Sequence, residues 1–392
     1  MTGAPQIHPA QQALPMPAAP RSTSADAIGR SGGDAHWEAE VRARIALSLL
    51  AEPGDSKVGA EVGRKGPERV AAELERTRLP ARSASPLAEA VATQLERAAA
   101  LGARCLLPGY PGWPTQLDDL GDAKPFLLWV TGESVRLDLV RSVSIVGARA
   151  CSPYGRMQAE TIAAELALFG WTVVSGGAYG IDAAAHQGAL AVGGRTVLVS
   201  AGGVDKPYPR AHEHLFRRVQ HSGAVVSECP LGAPPARHRF LTRNRLIAAL
   251  SRGTIVVEAA LKSGARSTAA AAARISRHVM AVPGPVDSDL STGCHDLIRN
   301  QQAILVGGTS DVLEVVTPLG ESSALSTVGR SVLGWLVAKG PLDDVQLAAD
   351  IGLPREELVP LLALLEGGGY LTRSRRGWQL TDEALTRFAK SR

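Results

Sequence analysis

Short apolar runs rich in Val and Ile recur through the middle of the chain, at 143–147, 172–175, 195–200, 224–227, 254–258 and 278–282. Most have Gly, Pro or Ser close by, so each reads as a strand buried on both faces. Between them, at 155–169, 181–192, 210–221, 241–251 and 266–276, apolar residues fall at helical spacing. Strand–helix alternation of this kind predicts an α/β, doubly wound parallel sheet with ligands at the carboxyl ends of its strands.

The flanks differ in pattern. Ala39, Val41, Ile45 and Leu49, then Val70 and Leu74, have helical spacing on either side of the glycine-bearing turn 58–67. Such a helix–Gly–helix unit can grip a nucleic-acid backbone, but a packing role fits it better. Tyr110, Pro111, Trp113, Pro114 and Pro125 make 105–142 a rigid segment expected to pack on the next domain. The last unit reads as three helices and a hairpin closing a small core, like a winged helix, with Pro360 expected to kink the third helix. The expected division is a disordered Pro/Ala/Ser-rich tail 1–35, a helical domain 36–109, a Rossmann-like domain 110–315, a linker 316–324 and a winged-helix-like domain 325–392.

Charge sharpens this picture. The chain carries a net +4, yet residues 205–277 hold 13 Lys/Arg against 4 Asp/Glu, a local +9. A basic surface on a phosphate-cradling fold suggests a nucleic-acid backbone as ligand. Cys105, Cys151, Cys229 and Cys294 form no C-x-x-C pair, so reduced thiols are expected and no metal site. No secretory pattern or apolar run of ~20 residues is visible, so a cytoplasmic location and no membrane span are expected.

Three segments carry chemistry. The first strand ends in Gly147-Ala148-Arg149, and the second runs into Ser175, Gly176, Gly177 and Gly180 before a helix. Glycines permit tight turns, and a helix N-terminus offers free N–H groups to an anion. No ribose-binding acid follows the next strand and no Walker A sequence occurs, so nicotinamide and P-loop nucleotide cofactors are not expected. The run from Arg237 to Arg245 sets Phe240 among basic groups, with Arg243, Asn244 and Arg245 at the expected mouth of the next helix. Arginine there calls for an anion, because the helix dipole is positive at that end, and acids are scarce nearby in sequence. Ser263, Gly264 and Thr268 open a further helix, as an anion site or a plain cap. Asp182 and His186 share a helix face, but capping and packing fit them better than metal or acid–base work.

Together these segments resemble the DNA-processing protein A family (DprA/Smf), from about Tyr110 to Asp311. The resemblance is carried by Tyr110-Pro111, Val146-Gly147-Ala148-Arg149, Ser175-Gly176-Gly177-Ala178 with Gly180-Ile181-Asp182, Tyr208-Pro209, Arg243-Asn244-Arg245, Ser263-Gly264 and Pro283-Gly284. It implies an extended Rossmann-like domain that binds single-stranded DNA without enzymatic activity, usually as a homodimer. It also implies delivery of that strand to the RecA recombinase in natural transformation. The implied pocket residues are Arg149, Arg237, Phe240, Arg243, Asn244 and Arg245. Cys294-His295 and Gln301-Gln302 depart from the family pattern, the latter where glycine is usual. The rival is a nucleoside-monophosphate phosphoribohydrolase, which the fold also resembles but whose P-G-G-x-G-T-x-x-E run is missing here. A winged-helix regulator would rest on 325–392 alone, where nine Lys/Arg nearly balance eight Asp/Glu.

Overall fold

The structure is a computed structural model that describes residues 35–78, 86–133, 137, 139–318, 327–367, 369–382 and 384. The expected tail, up to residue 34, and most of the expected linker lie outside them. The six expected strands form as β3 (Ser142–Val146), β4 (Thr172–Gly176), β5 (Thr196–Val199), β6 (Ala224–Ser227), β7 (Gly253–Val256) and β8 (His278–Ala281). With β1 (Arg104–Leu106), β2 (Leu128–Thr131) and β9 (Ile304–Leu305) they make one sheet, ordered β1-β2-β6-β5-β4-β3-β7-β8-β9. Strands β3 to β9 are parallel; beyond β6, β2 pairs antiparallel with β6 and β1 pairs antiparallel with β2.

The segment 105–142 is therefore part of the sheet, not a packed strap. Its run Phe126–Val130 is fully buried, and Trp129 pairs with Ser227. The physical reason is that β6 would otherwise end the sheet with unpaired N–H and C=O groups. The turn after α10 (Thr292–Arg299) holds Gln301 at φ 56°, the left-handed region that favours glycine.

Helices α5 (Pro153–Leu168), α6 (Ile181–Ala191), α7 (Glu213–Ser222), α8 (Arg237–Ala249) and α9 (Gly264–Arg274) connect the strands. Glu258 fixes the start of α5. Its carboxylate accepts from the Ser152 N–H at 2.9 Å and the Ser152 hydroxyl at 2.5 Å, beside the positive helix end. Helix α8 starts at Arg237, not at the expected 241, directly after Pro234-Pro235 and an extended Ala236. The basic run therefore lies inside the helix, not ahead of it.

Helices α1 (Ala35–Leu50), α2 (Ser56–Lys65), α3 (Pro67–Arg78) and α4 (Pro86–Leu101) share one apolar cluster with α7 and strands β2, β5 and β6. At the other end of the chain, α11 (Thr309–Val316) closes the sheet layer. It is followed by α12 (Thr327–Lys339), α13 (Asp344–Ile351), α14 (Arg355–Gly367) and the hairpin β10 (Leu371–Ser374)–β11 (Gly377–Leu380). Helix α14 continues through Pro360, because the proline removes one backbone donor while Leu358, Leu361, Leu362 and Leu365 stay buried. Contrary to expectation this unit's core is not separate. It merges with the layer of α5 and α6, and Phe169 meets Tyr370 edge-on at 6.0 Å. Helices of such a sheet run antiparallel to its strands. The carboxyl ends of α5 and α6, where Phe169 and Leu190 lie, thus sit at the sheet edge opposite the ligand-binding one.

The turn after β4 is fixed from below. Gly180 has φ 76°, and a Cβ there would sit 2.2 Å from the Ala148 carbonyl oxygen, so no other residue fits. His186, fully buried, donates from Nε2 to the Gly176 carbonyl at 2.9 Å, and its Nδ1 lies 2.7 Å from the Thr196 hydroxyl. Burial pushes the imidazole down from 6.5 to about 4, so it is neutral in the fold. The unfolded chain binds the proton first. His186 therefore contributes its full stability above about pH 6.5 and loses it as pH falls towards 4. Urea denaturation should show roughly 2 kcal/mol less stability at pH 5 than at pH 7 from this group. The His186→Gln variant should lack that difference. An identical pH slope in both proteins would contradict the assignment.

Candidate nucleic-acid interface

Strand order reverses beside β3, where β4 lies on one side and β7 on the other. At the carboxyl ends of these strands opens a cavity of ≈ 380 Å³. Eight of the expected site residues line it: Gly147, Arg149, Phe240, Arg243, Asn244, Ser263, Gly264 and Thr268. Each element contributes for a local reason. The end of β3 supplies Gly147 and Arg149, and the first turns of α8 supply Phe240, Arg243 and Asn244. The mouth of α9 supplies Ser263 and Gly264. The Ser263 hydroxyl caps that helix by accepting from the Ala265 N–H at 3.2 Å. Asn244 donates to the Gly264 carbonyl at 3.3 Å and ties the two helices together.

The other six lie elsewhere. Ser175, Gly176, Gly177 and Gly180 pack behind the wall. Ser175 donates to the Ile145 carbonyl at 2.6 Å, and a Cβ on Gly176 would meet both Arg243 and Asp182. Arg237 is exposed at the start of α8, off the cavity wall. Arg245 points away altogether, into a buried ion pair with Glu228 at 2.5 Å. Burial pushes the Glu228 carboxyl up, and Arg245 opposes that shift.

The basic run is thus divided. Arg243 is buried as part of the cavity floor, donating to the Val199 carbonyl beside Asp182. Burial pushes the Asp182 carboxyl up, while Arg243 and the Ala178 N–H pull it down. Arg239 forks onto Glu52 at 2.9 and 3.0 Å, and His238 reaches the same carboxylate at 3.0 Å. Arg239 above all holds Glu52 down at about 2. The acids that sequence proximity failed to supply come from the α1–α2 loop and from the end of β6. Arg149 and Lys262 remain exposed at the cavity, and neither makes an ion pair among the described residues.

Two features escaped the sequence. Lys262 precedes the Ser263 cap, and a cation before a helix mouth was the signal that could have found it. The aromatic surroundings of Phe240 had no local signal. Arg149 lies over the Phe240 ring, 5.3 Å from its centroid, and Tyr208 approaches that ring at 5.4 Å. Chemically, the site offers cations and a helix mouth to phosphates and ring surface to bases. Asp182 is the one carboxylate on the cavity wall among the described residues, and it is buried.

Residues 104–317 match the DNA recombination-mediator protein A family. A Mycobacterium tuberculosis protein described as DNA processing protein DprA is 39% identical over an alignment of 370 residues that covers 87% of this chain and 94% of that one. The Smf protein of Escherichia coli is 42% identical over 191 residues, 48% of this chain and 50% of its own. The crystallographic structure of DprA from Streptococcus pneumoniae aligns with a TM-score of 0.57 and 31% identity, covering 70% of this chain and 96% of that one. Matched along most of its length in sequence and over 70% of it in structure, the chain belongs to the DNA recombination-mediator protein A family.

Proposed function

We propose that the cavity at the switch point grips the backbone of single-stranded DNA, and that the protein delivers the strand to the RecA recombinase as a non-enzymatic homodimer. The observation that carries this is the juxtaposition of Arg149 and Lys262, two exposed cations with no ion pair among the described residues, lining one cavity at the mouth of α9. A phosphate there gains charge-assisted hydrogen bonds and helix-end N–H groups together. Phe240 and its neighbours offer ring surface, which only an unpaired base can use, so single strands are preferred over duplex. Recombination mediation is the family's role, and delivery to the recombinase is the step by which such a protein would perform it. The non-enzymatic reading is supported by the cavity's buried carboxylate Asp182, and by Glu258, which is committed to capping α5.

Gel shifts of oligo-dT against duplex across salt concentrations test this, with nucleotide hydrolysis and nucleoside-monophosphate cleavage assayed alongside. Oligo-dT should bind far more tightly, with log affinity falling about 0.7 per phosphate contact for each unit of log salt. Replacing Arg149 and Lys262 together by Ala should reduce that slope by about 1.4. Equal duplex affinity with a flat salt response, or robust turnover, would refute the reading.

Arg245 should behave differently. Arg245→Ala strands the buried Glu228 and should cost about 3–5 kcal/mol of folding stability. The protein that remains folded should bind DNA as the wild type does. A strong affinity loss at full stability would place Arg245 at the DNA instead.

Residues 320–392 we assign to contacts with protein, because α14 docks at the sheet edge away from the cavity. A truncation that removes them should keep single-strand affinity while its light scattering reports altered assembly. A folded truncation that loses affinity as severely as the Arg149/Lys262 double variant would make this unit a main DNA grip.

A further inference from the structure

The ring expected to stack a base, Phe240, is already covered on one face by the Arg149 guanidinium. The more open rings lie beyond it. Tyr208 is 47% exposed and Tyr179 is 49% exposed, both unusual for side chains with so much apolar surface. Neither is loose. Tyr208 is tilted 54° against Phe240. Tyr179 stands edge-on to His212 at 4.6 Å, and the His212 Nδ1 donates to the Gly177 carbonyl at 3.2 Å. The backbone below is equally fixed, since a Cβ on Gly177 would come within 3.1 Å of the Tyr208 carbonyl oxygen. Lys206 and Arg210, on the same loop as Tyr208, are exposed and make no ion pair among the described residues.

Resting on the single-strand reading above, we propose that Tyr208, Tyr179 and His212 form a second subsite, outside the cavity, that stacks nucleobases. The strand leaves the Arg149–Lys262 cavity past Phe240 and crosses the glycine turn. Its bases lie on the two tyrosines, and its phosphates face Arg210 and Lys206. Stacking uses the π-face common to all bases, so the subsite extends the footprint without adding sequence preference. The Tyr208 ring also backs Phe240, so a base seated on it is held beside the cation that grips the backbone.

The test uses the full chain and fluorescence anisotropy with dT oligonucleotides of increasing length, and with one long oligonucleotide whose outer positions are abasic. Wild type should gain affinity in two stages, and the abasic oligonucleotide should lose the second. Tyr208→Ala and Tyr179→Ala should each weaken binding of the long oligonucleotide by roughly fivefold to a hundredfold. Tyr179→Ala should leave short oligonucleotides unaffected, and Tyr→Phe at each position should restore binding. Thermal melts confirm that each variant is folded, and the Tyr→Phe variants carry the comparison should an Ala variant fail to fold. Long-oligonucleotide affinity that survives in the Ala variants, or is equal with and without the outer bases, would overturn the subsite while leaving the cavity reading intact. Failure of wild type to bind any oligonucleotide would instead refute the cavity reading.

Discussion

Arg243 is a guanidinium that cannot leave. It is buried beneath the cavity, donates to the Val199 carbonyl at the end of β5, and shares the space around Gly176 with the Asp182 carboxylate. An uncompensated buried charge costs several kcal/mol, so the Val199 carbonyl and the nearby Asp182 carboxylate must be in place for the fold to form. That requirement locks α8 to the ends of β4 and β5 and fixes the start of α6 through Asp182. His186, one turn on from Asp182, then holds the Gly176 carbonyl. The cavity floor is rigid for that reason, and the groups above it are aimed before any ligand arrives.

The same electrostatic accounting separates structural cations from available ones. Arg243 and Arg245 each find a partner inside the protein, the Val199 carbonyl and the Glu228 carboxylate, and Arg239 with His238 is held by Glu52 from the helical unit. Glu52 is well exposed, so its contacts are screened by solvent and guide docking more than they stabilise the fold. Arg149, Lys262, Lys206, Arg210 and Arg237 are exposed and without ion pairs among the described residues. A local charge of +9 therefore overstates the surface a polyanion meets at the cavity, which Arg149 and Lys262 line as exposed cations, while Arg218 lies beside Leu190 and α14.

The sequence was legible wherever structure is local. Val- and Ile-rich runs marked the six parallel strands, because a strand buried on both faces needs unbroken apolar sequence. Gly180 was legible as a turn residue, since its φ of 76° and its contact with Ala148 admit nothing larger. The remainder was hidden by distance along the chain. Glu52 lies 186 residues from His238, and no local pattern joins them. Leu128–Thr131 reads as a strand only once β6 is known to need an antiparallel partner. Arg243 and Arg245 look alike in sequence, yet they lie 200° apart around a helix, so one meets the cavity floor and the other Glu228.

This geometry also explains how three units share one sheet without obstructing it. The amino-terminal helices pack beside α7 and the β6 side, and the carboxyl-terminal helices pack under the ends of α5 and α6. Both therefore use surfaces formed by helix flanks and helix ends, which are apolar for reasons of packing alone. The strand ends are different. Glycine turns, a helix mouth and unpaired cations make a poor apolar contact surface, because burying them would strand charges and N–H groups without water. A ligand that brings its own negative charge would cover that edge without stranding those cations.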